Sequence, residues 1–403
     1  MSDFFQNGVI TTFHQLGAAD LERMEAELRE YSKIRPIALV LPSLYREFSS
    51  GALPKIMDTI RKVNYLKQIV LCLDRANRSQ FEEVKAHFSD IRRLSIIWND
   101  GPNMKGLYDL LDKNRLSPGK DGKGRAVWIS LGFVLAGMKS RVIAIHDCDI
   151  VTYSRNLLAR LCYPVTTPHS EYEFCKGYYS RVTDKMHGRA TRLFFTPFIR
   201  SLEKLLGYLP FLVYLDSFRY ALAGEIAMRR DLAMAMRIPS DWGLEVGTLS
   251  EVYRNMAYKR ICQVDIADSY EHKHQDLKPD DPELGVLKMI IDVAKSIFRN
   301  LALEGVQFSP GFFKSLHQIY LKTAQETLIQ YESEAAINGL KFDRHNEAVC
   351  VEAFAEGIRK AGEVFWDDPS ASPLIPNWHR VNAAVPNFFA MLLEAVKLDN
   401  QVG

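Results

Sequence analysis

The sequence predicts an α/β protein with a mostly parallel sheet. Short apolar runs rich in β-branched residues recur through the first 150 residues, and helical patterns separate them. Polar residues follow the end of each run. Strands alternating with helices build parallel sheets through right-handed crossovers. Such sheets bind ligands beyond the carboxyl ends of their strands. We therefore expect the functional site at that edge.

The elements are predicted from hydrophobic periodicity and turn residues. Residues 1–34 are expected to form an amphipathic helical extension, capped at Asp20, and Pro42 is expected to end the first strand. From about 281 onward the pattern is mostly helical, with two long helices near 284–303 and 310–334. The predicted strands are 37–41, 68–73, 94–98, 141–146 and 262–266, and the other helices are 53–63, 79–87 and a segment from the glycine-rich loop to about 137.

Composition limits the possible partners. The 403 residues are 47% hydrophobic and 25% charged, which is typical of a globular protein. The net charge of +2 gives little support to nucleic-acid binding. The six cysteines form no CxxC pair, and the chain shows neither a secretory signal nor a run of roughly 18 apolar residues. We expect a reduced, cytoplasmic protein that binds neither membrane nor nucleic acid.

The strongest local motif is Asp147-Cys148-Asp149, which follows an apolar run ending at Ile145. Two carboxylates at a strand end are the hard oxygen ligands that Mg²⁺ or Mn²⁺ prefers. A bound ion can neutralise charge on a leaving diphosphate. A structural turn or helix cap explains the same residues, and spacing alone does not separate the two interpretations.

Two further motifs are suited to anions. The loop 119–125 places Lys123 among glycines, which allow backbone amides to approach a phosphate closely, although the order is not that of a Walker A loop. A solvated flexible loop is the alternative. The segment 187–192 contains Arg189, and arginine binds phosphate or carboxylate in a bidentate manner. An ordinary helix start is the alternative there.

Two other motifs carry titratable side chains. In 270–274, His272 and His274 are two residues apart and either can ligate a metal, but solvent-facing histidines look the same. In 241–247, Glu245 lies in an apolar run flanked by glycines, where an unpaired buried carboxylate is costly. It can orient a substrate hydroxyl or serve a structural cap.

Taken together and in this order, the motifs resemble those of the glucosyl-3-phosphoglycerate synthases. These are retaining glycosyltransferases with a GT-A-type, Rossmann-like nucleotide-binding domain. The similarity extends from about 39 to 277. It implies a nucleotide-sugar-binding domain at 35–155 and an acceptor-binding region at 156–285, between the N-terminal extension 1–34 and a helical region at 286–403.

The resemblance also implies roles for individual residues. Asp147, Asp149 and His272 would hold the metal, with Asp149 the direct ligand. Lys123, Glu245 and Arg189 would be catalytic, and Lys123 would lie near the diphosphate. The implied nucleotide pocket contains Pro42, Ser43, Leu44, Glu47 and Asp74, and the implied substrate-binding residues are Gly188, Arg189, Thr191, Gly224, Glu225 and His274.

The reaction implied is glucosyl transfer from UDP-, ADP- or GDP-glucose to the 2-hydroxyl of 3-phosphoglycerate, with Mg²⁺ or Mn²⁺ and with retention. A homodimer and a place in compatible-solute synthesis are further expectations. The alternatives are mannosyl transfer from GDP-mannose to 3-phosphoglycerate or glycerate, a metal-dependent phosphohydrolase suggested by His146-Asp147, and a non-catalytic sugar-nucleotide-binding protein.

Overall fold

A single mixed sheet lies at the centre of the protein. The structure, a computed structural model, describes residues 6, 8–17, 20–267, 270–271, 285–369 and 374–401. The strands within these ranges are β1 (Thr11–Phe13), β2 (Ile37–Leu44), β3 (Leu66–Asp74), β4 (Leu94–Trp98), β5 (Val142–Ile145), β6 (Phe174–Tyr179), β7 (Ile226–Arg229) and β8 (Ile261–Ala267). Their order is β1-β8-β6-β7-β5-β2-β3-β4.

Helices cover both faces of this sheet. Alternate residues of β2 lie in different cores, since Val40 belongs to one apolar cluster and Leu39 to the other. The helices are α1 (Leu21–Ile34), α2 (Tyr45–Ser49), α3 (Ala52–Arg61), α4 (Arg78–His87), α5 (Pro102–Lys113), α6 (Lys123–Gly137), α7 (Arg155–Thr166), α8 (Thr196–Leu206), α9 (Pro210–Asp216), α10 (Arg230–Ala235), α11 (Leu244–Asn255), α12 (Gly285–Leu303), α13 (Pro310–Ile337), α14 (Arg344–Asp367), α15 (Trp378–Ala384) and α16 (Phe388–Gln401), with a π-helix at Ala190–Phe195 and a 3₁₀ turn at Tyr258–Arg260.

The prediction of a mostly parallel α/β sheet is confirmed. Strands β2, β3, β4 and β5 pair in parallel, as do β1, β6 and β8. Strand β7 is antiparallel to both of its neighbours, β5 and β6. It joins the two parallel groups into one sheet, so the segment before β7 reaches the same edge as the end of β5.

The helical prediction for residues 1–34 is wrong in part. Helix α1 begins after Asp20, whose side chain accepts a hydrogen bond from the Arg23 backbone nitrogen at 3.0 Å, as a cap should. Residues 11–13, however, form β1 at the sheet edge and pair with Cys262–Val264 of β8. The partner strand lies some 250 positions away along the chain, so local periodicity gave no indication of it.

Pro42 does not end its strand, contrary to the prediction. Strand β2 continues to Leu44, still paired with β3. The Val40 carbonyl accepts from the His146 backbone nitrogen at 3.1 Å, so this side of β2 faces β5. Pro42, two residues later on the same side, lies beyond the end of β5. Its lack of an N–H therefore breaks no hydrogen bond with that strand.

The predicted C-terminal helices are present and pack against the sheet's helices. Helices α12, α13 and α14 pack together, and α16 packs against α5 and α6. The Trp378 ring stacks on Trp128 of α6 at 4.1 Å. In the described parts of the chain, no single helix has both the length and the apolarity to cross a membrane. Helices α15 and α16, bent by 97°, meet those criteria only as a pair.

Candidate active site at the carboxyl edge of the sheet

Two carboxylates follow the end of β5. Cys148 is buried between Asp147 and Asp149. Burial, followed by the charge of Asp147, raises the pKa of Asp149 to about 6. Two acidic groups this close favour a cation or a proton between them. The turn therefore has the donor set and the electrostatics of a divalent metal site.

Lys123 links this turn to a second acidic side chain. It opens α6, and its Nζ lies 2.6 Å from Asp147 Oδ1 and 2.9 Å from Glu245 Oε1 in the first turn of α11. Burial lowers the pKa of Lys123, but Asp147 and Glu245 outweigh it and raise this pKa well above its usual range. The ammonium therefore stays charged beside the predicted metal site.

The segment before β7 packs against the Asp147 carboxylate. A Cβ on Gly224 would lie 2.5 Å from Asp147 Oδ2, so only glycine allows this approach. Glu225 is fully buried and accepts hydrogen bonds from Tyr179 at 3.0 Å and Tyr270 at 2.7 Å, whose rings stack 3.6 Å apart. Burial, followed by the charge of Asp147, raises the pKa of Glu225 to about 7.

The predicted ligands His272 and His274 lie outside the described residues. The residue before them, Glu271, is within the described part of the chain. Its carbonyl accepts from Val151 N at 2.7 Å, and its own nitrogen donates to Thr152 Oγ1 at 3.1 Å. The chain is thus held beside the Asp149 turn immediately before His272. Among the described residues, no three His, Cys, Asp or Glu side chains form a metal-binding group.

The predicted nucleotide pocket lies at the ends of β2 and β3. Leu44 pairs with Asp74, so Pro42, Ser43 and Leu44 reach the same edge as the Asp74 carboxylate. Asp74 is buried and accepts from Asn99, and burial raises its pKa to about 6.

Glu47 of α2 belongs to the same region of the sheet edge. Its Oε1 accepts from Arg46 Nε at 2.9 Å, whereas its buried Oε2 has no hydrogen-bond partner. The charge of Glu47 contributes to the raised pKa of Asp149, which places it near the metal-binding turn. An unpaired buried acceptor at this position is available to a donor group of a ligand.

The segment 187–192, the predicted acceptor motif, adopts a conformation that depends on glycine. Gly188 has a φ of +75°, in the left-handed region, and precedes the π-helix that contains Thr191. Arg189 Nε donates to Glu347 Oε1 of α14 at 2.7 Å. The buried Thr191 hydroxyl has no hydrogen-bond partner. The motif therefore contains the Arg189 guanidinium and a buried Thr191 hydroxyl that lacks a hydrogen-bond partner.

The sequence reasoning missed Lys176, although a lysine inside the apolar run 174–179 was a visible signal. It is 1% exposed on β6 and donates to the Ala223 carbonyl. Burial lowers its pKa to about 8. With Lys123, Gly224 and Glu245 it lines a cavity of about 20 Å³, enough for about one water molecule.

His146 is a core residue. It is fully buried with its ring 5.5 Å from that of Tyr153, and neither ring nitrogen has a hydrogen-bond partner. Burial lowers its pKa to about 3, so the ring is neutral. This environment does not match the His-Asp metal pair of a phosphohydrolase, which needs accessible imidazole nitrogen.

A Rossmann-like sheet with two acidic side chains, a lysine and a closely packed glycine at its carboxyl edge has the features of a metal-dependent sugar-nucleotide transferase. No family model matches the chain. Curated relatives do: glucosyl-3-phosphoglycerate synthase of Persephonella marina is 49% identical over 401 residues, 99% of each chain, and that of Methanococcoides burtonii is 39% identical over 404 residues, 98% of each. The chain belongs to the glucosyl-3-phosphoglycerate synthase family, which confirms the resemblance.

Solved structures confirm the fold class. The Mycobacterium tuberculosis glucosyl-3-phosphoglycerate synthase in complex with Mg²⁺ and UDP has a TM-score of 0.54 and 21% identity, and covers 75% of this chain and 89% of that one. The same enzyme with Mn²⁺, UDP-glucose and phosphoglyceric acid gives a TM-score of 0.53 at 20% identity, with coverages of 74% and 89%.

Proposed function

We propose that this enzyme transfers glucose from a nucleoside diphosphate glucose to the 2-hydroxyl of 3-phosphoglycerate. The observation that carries the proposal is the cluster of Asp147, Lys123 and Glu245 at the carboxyl edge of the sheet, in a chain of this family. The tuberculosis relative was solved with UDP-glucose and phosphoglyceric acid, which supports UDP-glucose as the donor.

The metal is Mg²⁺ or Mn²⁺, the ions present in the solved relatives. Asp149 and Asp147 would hold it, and His272 would complete the set. Burial and then the charge of Asp147 raise the pKa of Asp149, and a bound cation would offset both effects. When bound, the ion neutralises charge on the diphosphate. Two partly buried carboxylates that repel each other destabilise the folded protein unless a proton, an ammonium group or a metal ion compensates their charge.

Lys123 stabilises the leaving diphosphate. Its ammonium is held at 2.6 Å from Asp147, so it is already oriented before the donor binds. A fixed cation that meets developing negative charge lowers the transition state more than the ground state. Glu245 fixes the other side of the ammonium and orients a sugar or acceptor hydroxyl.

Retention at the anomeric carbon is proposed to occur by front-face attack. Glu245 and Glu225 are already engaged, since Glu245 pairs with Lys123 and Glu225 accepts from two tyrosines, so neither is a free covalent nucleophile. The acceptor's anionic groups are held by Arg189, Thr191 and the backbone at Gly188, with His274 as a further contact.

Further aspects of the proposal concern the nucleotide pocket and the cell. Pro42, Ser43, Leu44, Glu47 and Asp74 form the nucleotide pocket, and ADP- or GDP-glucose remain competing donors. The enzyme acts in the cytoplasm, as a homodimer, in the synthesis of a compatible solute. Co-elution with a mass standard and light scattering would test the dimer.

A donor-by-acceptor panel tests the function. Purified protein with Mn²⁺ is incubated with UDP-, ADP- or GDP-glucose or GDP-mannose, each with 3-phosphoglycerate or glycerate. We expect glucosyl-3-phosphoglycerate, detected by mass spectrometry, with UDP-glucose as the best donor. Asp149→Asn should abolish turnover, whereas Asp121→Asn, on the exposed loop, should not. If glycerate but not 3-phosphoglycerate gave a product, the acceptor assignment would be refuted. Hydrolysis of the sugar nucleotide without formation of a glycoside would refute the transferase assignment.

A further inference from the structure

The C-terminal helices support the segment that carries the acceptor motif. The Tyr320 hydroxyl of α13 donates to the Leu193 carbonyl at 2.7 Å. Between α13 and α14, the Lys341 backbone nitrogen donates to the Asp184 carbonyl at 2.8 Å, and its Nζ donates to Asp184 Oδ2 at 2.8 Å. The residues on both sides of Gly188 and Arg189 are therefore attached to the same helical hairpin.

Glu347 of α14 contacts two arginines of this segment through a buried carboxylate. Its side chain is about 6% exposed. Oε1 accepts from Arg189 Nε at 2.7 Å, and Oε2 accepts from Arg192 Nη2 at 2.9 Å. Each oxygen of one carboxylate thus fixes one arginine, and charge-assisted bonds of this kind are strong and directional.

Arg192 is held by several partners and has a structural role. Its Nε donates to the His187 carbonyl at 2.9 Å, and its guanidinium lies 4.9 Å from the centre of the Tyr331 ring of α13. Its side chain is 10% exposed. Arg192 therefore fixes Glu347 from one side, so that the carboxylate presents its other oxygen to Arg189 in a defined position.

Arg189 is held by only one edge of its guanidinium. Its side chain is 34% exposed, three times more than that of Arg192. Glu347 engages Nε, and within the described residues the two terminal amino groups of Arg189 have no hydrogen-bonded carboxylate. These amino groups are suited to a bidentate anion. The unpartnered hydroxyl of Thr191, two residues on, is a further donor in the same motif.

We propose that Glu347 is a positioning residue for acceptor binding, which fixes Arg189 so that its terminal amino groups receive an anionic group of 3-phosphoglycerate. The proposal rests on the proposed function. A free arginine loses side-chain entropy when it orders around a ligand, and a pre-ordered one does not. Glu347 removes that cost before the acceptor arrives.

The test compares Michaelis constants in Glu347→Gln with those of the unchanged enzyme. We expect the KM for 3-phosphoglycerate to rise roughly ten- to a hundredfold, because small misplacements of a binding group have effects of this size. The KM for UDP-glucose and its calorimetric affinity should stay within about twofold, as expected for an undisturbed donor site. Glu347→Asp, with its charge retained, should recover part of the loss.

Glu332→Gln is the matched control. Glu332 pairs with Arg344 at 3.0 Å and also joins α13 to α14, but it does not touch the acceptor motif. Its Michaelis constants should be unchanged. If Glu347→Gln does not accumulate as folded protein, Glu347→Asp carries the test, since a shortened carboxylate should raise the acceptor KM alone.

Three outcomes would overturn the proposal. The first is an unchanged acceptor KM in both Glu347 variants, and the second is a parallel rise of both Michaelis constants. The third is additive effects of Arg189→Lys and Glu347→Gln, since residues acting as one unit couple. In all three the unchanged enzyme still turns over 3-phosphoglycerate. Absence of turnover in that enzyme refutes the function itself.

Discussion

Gly224→Ala tests the position of the Asp147 carboxylate. The backbone of Gly224 is not in the left-handed region, so alanine adopts it without strain. The new methyl carbon would lie 2.7 Å from Asp147 Cγ and 2.5 Å from Oδ2. Carbon atoms in contact are separated by about 3.5 Å, so the carboxylate must retreat by roughly 0.8 Å.

That displacement determines the expected size of the effect. Asp147 would leave its 2.6 Å contact with Lys123 as well as its place in the metal site. A shift of this size typically costs about a hundredfold in rate. The moved atoms are the end of a side chain, so the free energy of unfolding should fall by no more than the usual cost of overpacking, about 1–3 kcal/mol.

The assay measures kcat/KM with UDP-glucose and 3-phosphoglycerate, Mn²⁺ affinity by calorimetry, and thermal unfolding. Gly106→Ala is the control, because a Cβ at Gly106 in α5 meets no atom within 4 Å. It should leave activity unchanged and stabilise the helix by up to about 1 kcal/mol. Full activity and Mn²⁺ affinity in Gly224→Ala would refute the reasoning, as would a large loss of stability that explains the lost activity.

Three further predictions test other parts of the structure. Lys123→Met should lower kcat by about a hundred- to a thousandfold, the usual effect of removing a transition-state donor. Lys120→Met in the same loop should leave kcat unchanged. Equal kcat values for the two variants would contradict the role of Lys123. Because the pKa of Asp149 is about 6 and a ligand must be deprotonated, Mn²⁺ affinity should fall by at least roughly tenfold for each pH unit below pH 6. A flat calorimetric profile from pH 5 to 8 would exclude Asp149 as a ligand. Trp378→Ala should lower the free energy of unfolding by about 3–5 kcal/mol in denaturant titrations, since its ring is fully buried against Trp128. Trp366, which is exposed, provides the control. A smaller loss of stability in Trp378→Ala than in Trp366→Ala would contradict the packing of Trp378 on Trp128.

Local pattern was sufficient to predict the edge at which the site lies. The apolar runs before Asp74 and Asp147 are buried strands, and parallel pairing brings their ends together. Glycine and lysine in the loop 119–125 likewise indicated Lys123, which the structure places next to Asp147. These features depend on residues a few positions apart, so periodicity and turn chemistry reveal them.

Contacts between distant parts of the chain could not be predicted in this way. Glu245 meets Lys123 across 122 positions, and Glu347 meets Arg189 across 158. Strand β1 likewise depends on β8. A carboxylate on an amphipathic helix such as α14 is indistinguishable by sequence from a solvated one, and only the packing of α13 and α14 shows that it is buried.

The excess of acidic side chains at the site explains why binding of the donor diphosphate would require a metal ion. In the described part of the chain, the acidic side chains Asp147, Asp149, Glu225 and Glu245 interact with two lysines, Lys123 and Lys176. Burial raises the pKa of Asp149 and of Glu225, so that without a cation each partly retains a proton near neutral pH. A divalent ion held by Asp147 and Asp149 would supply the missing positive charge. Such an ion would neutralise charge on the diphosphate, while Lys123, held 2.6 Å from Asp147, would stabilise the negative charge that develops there.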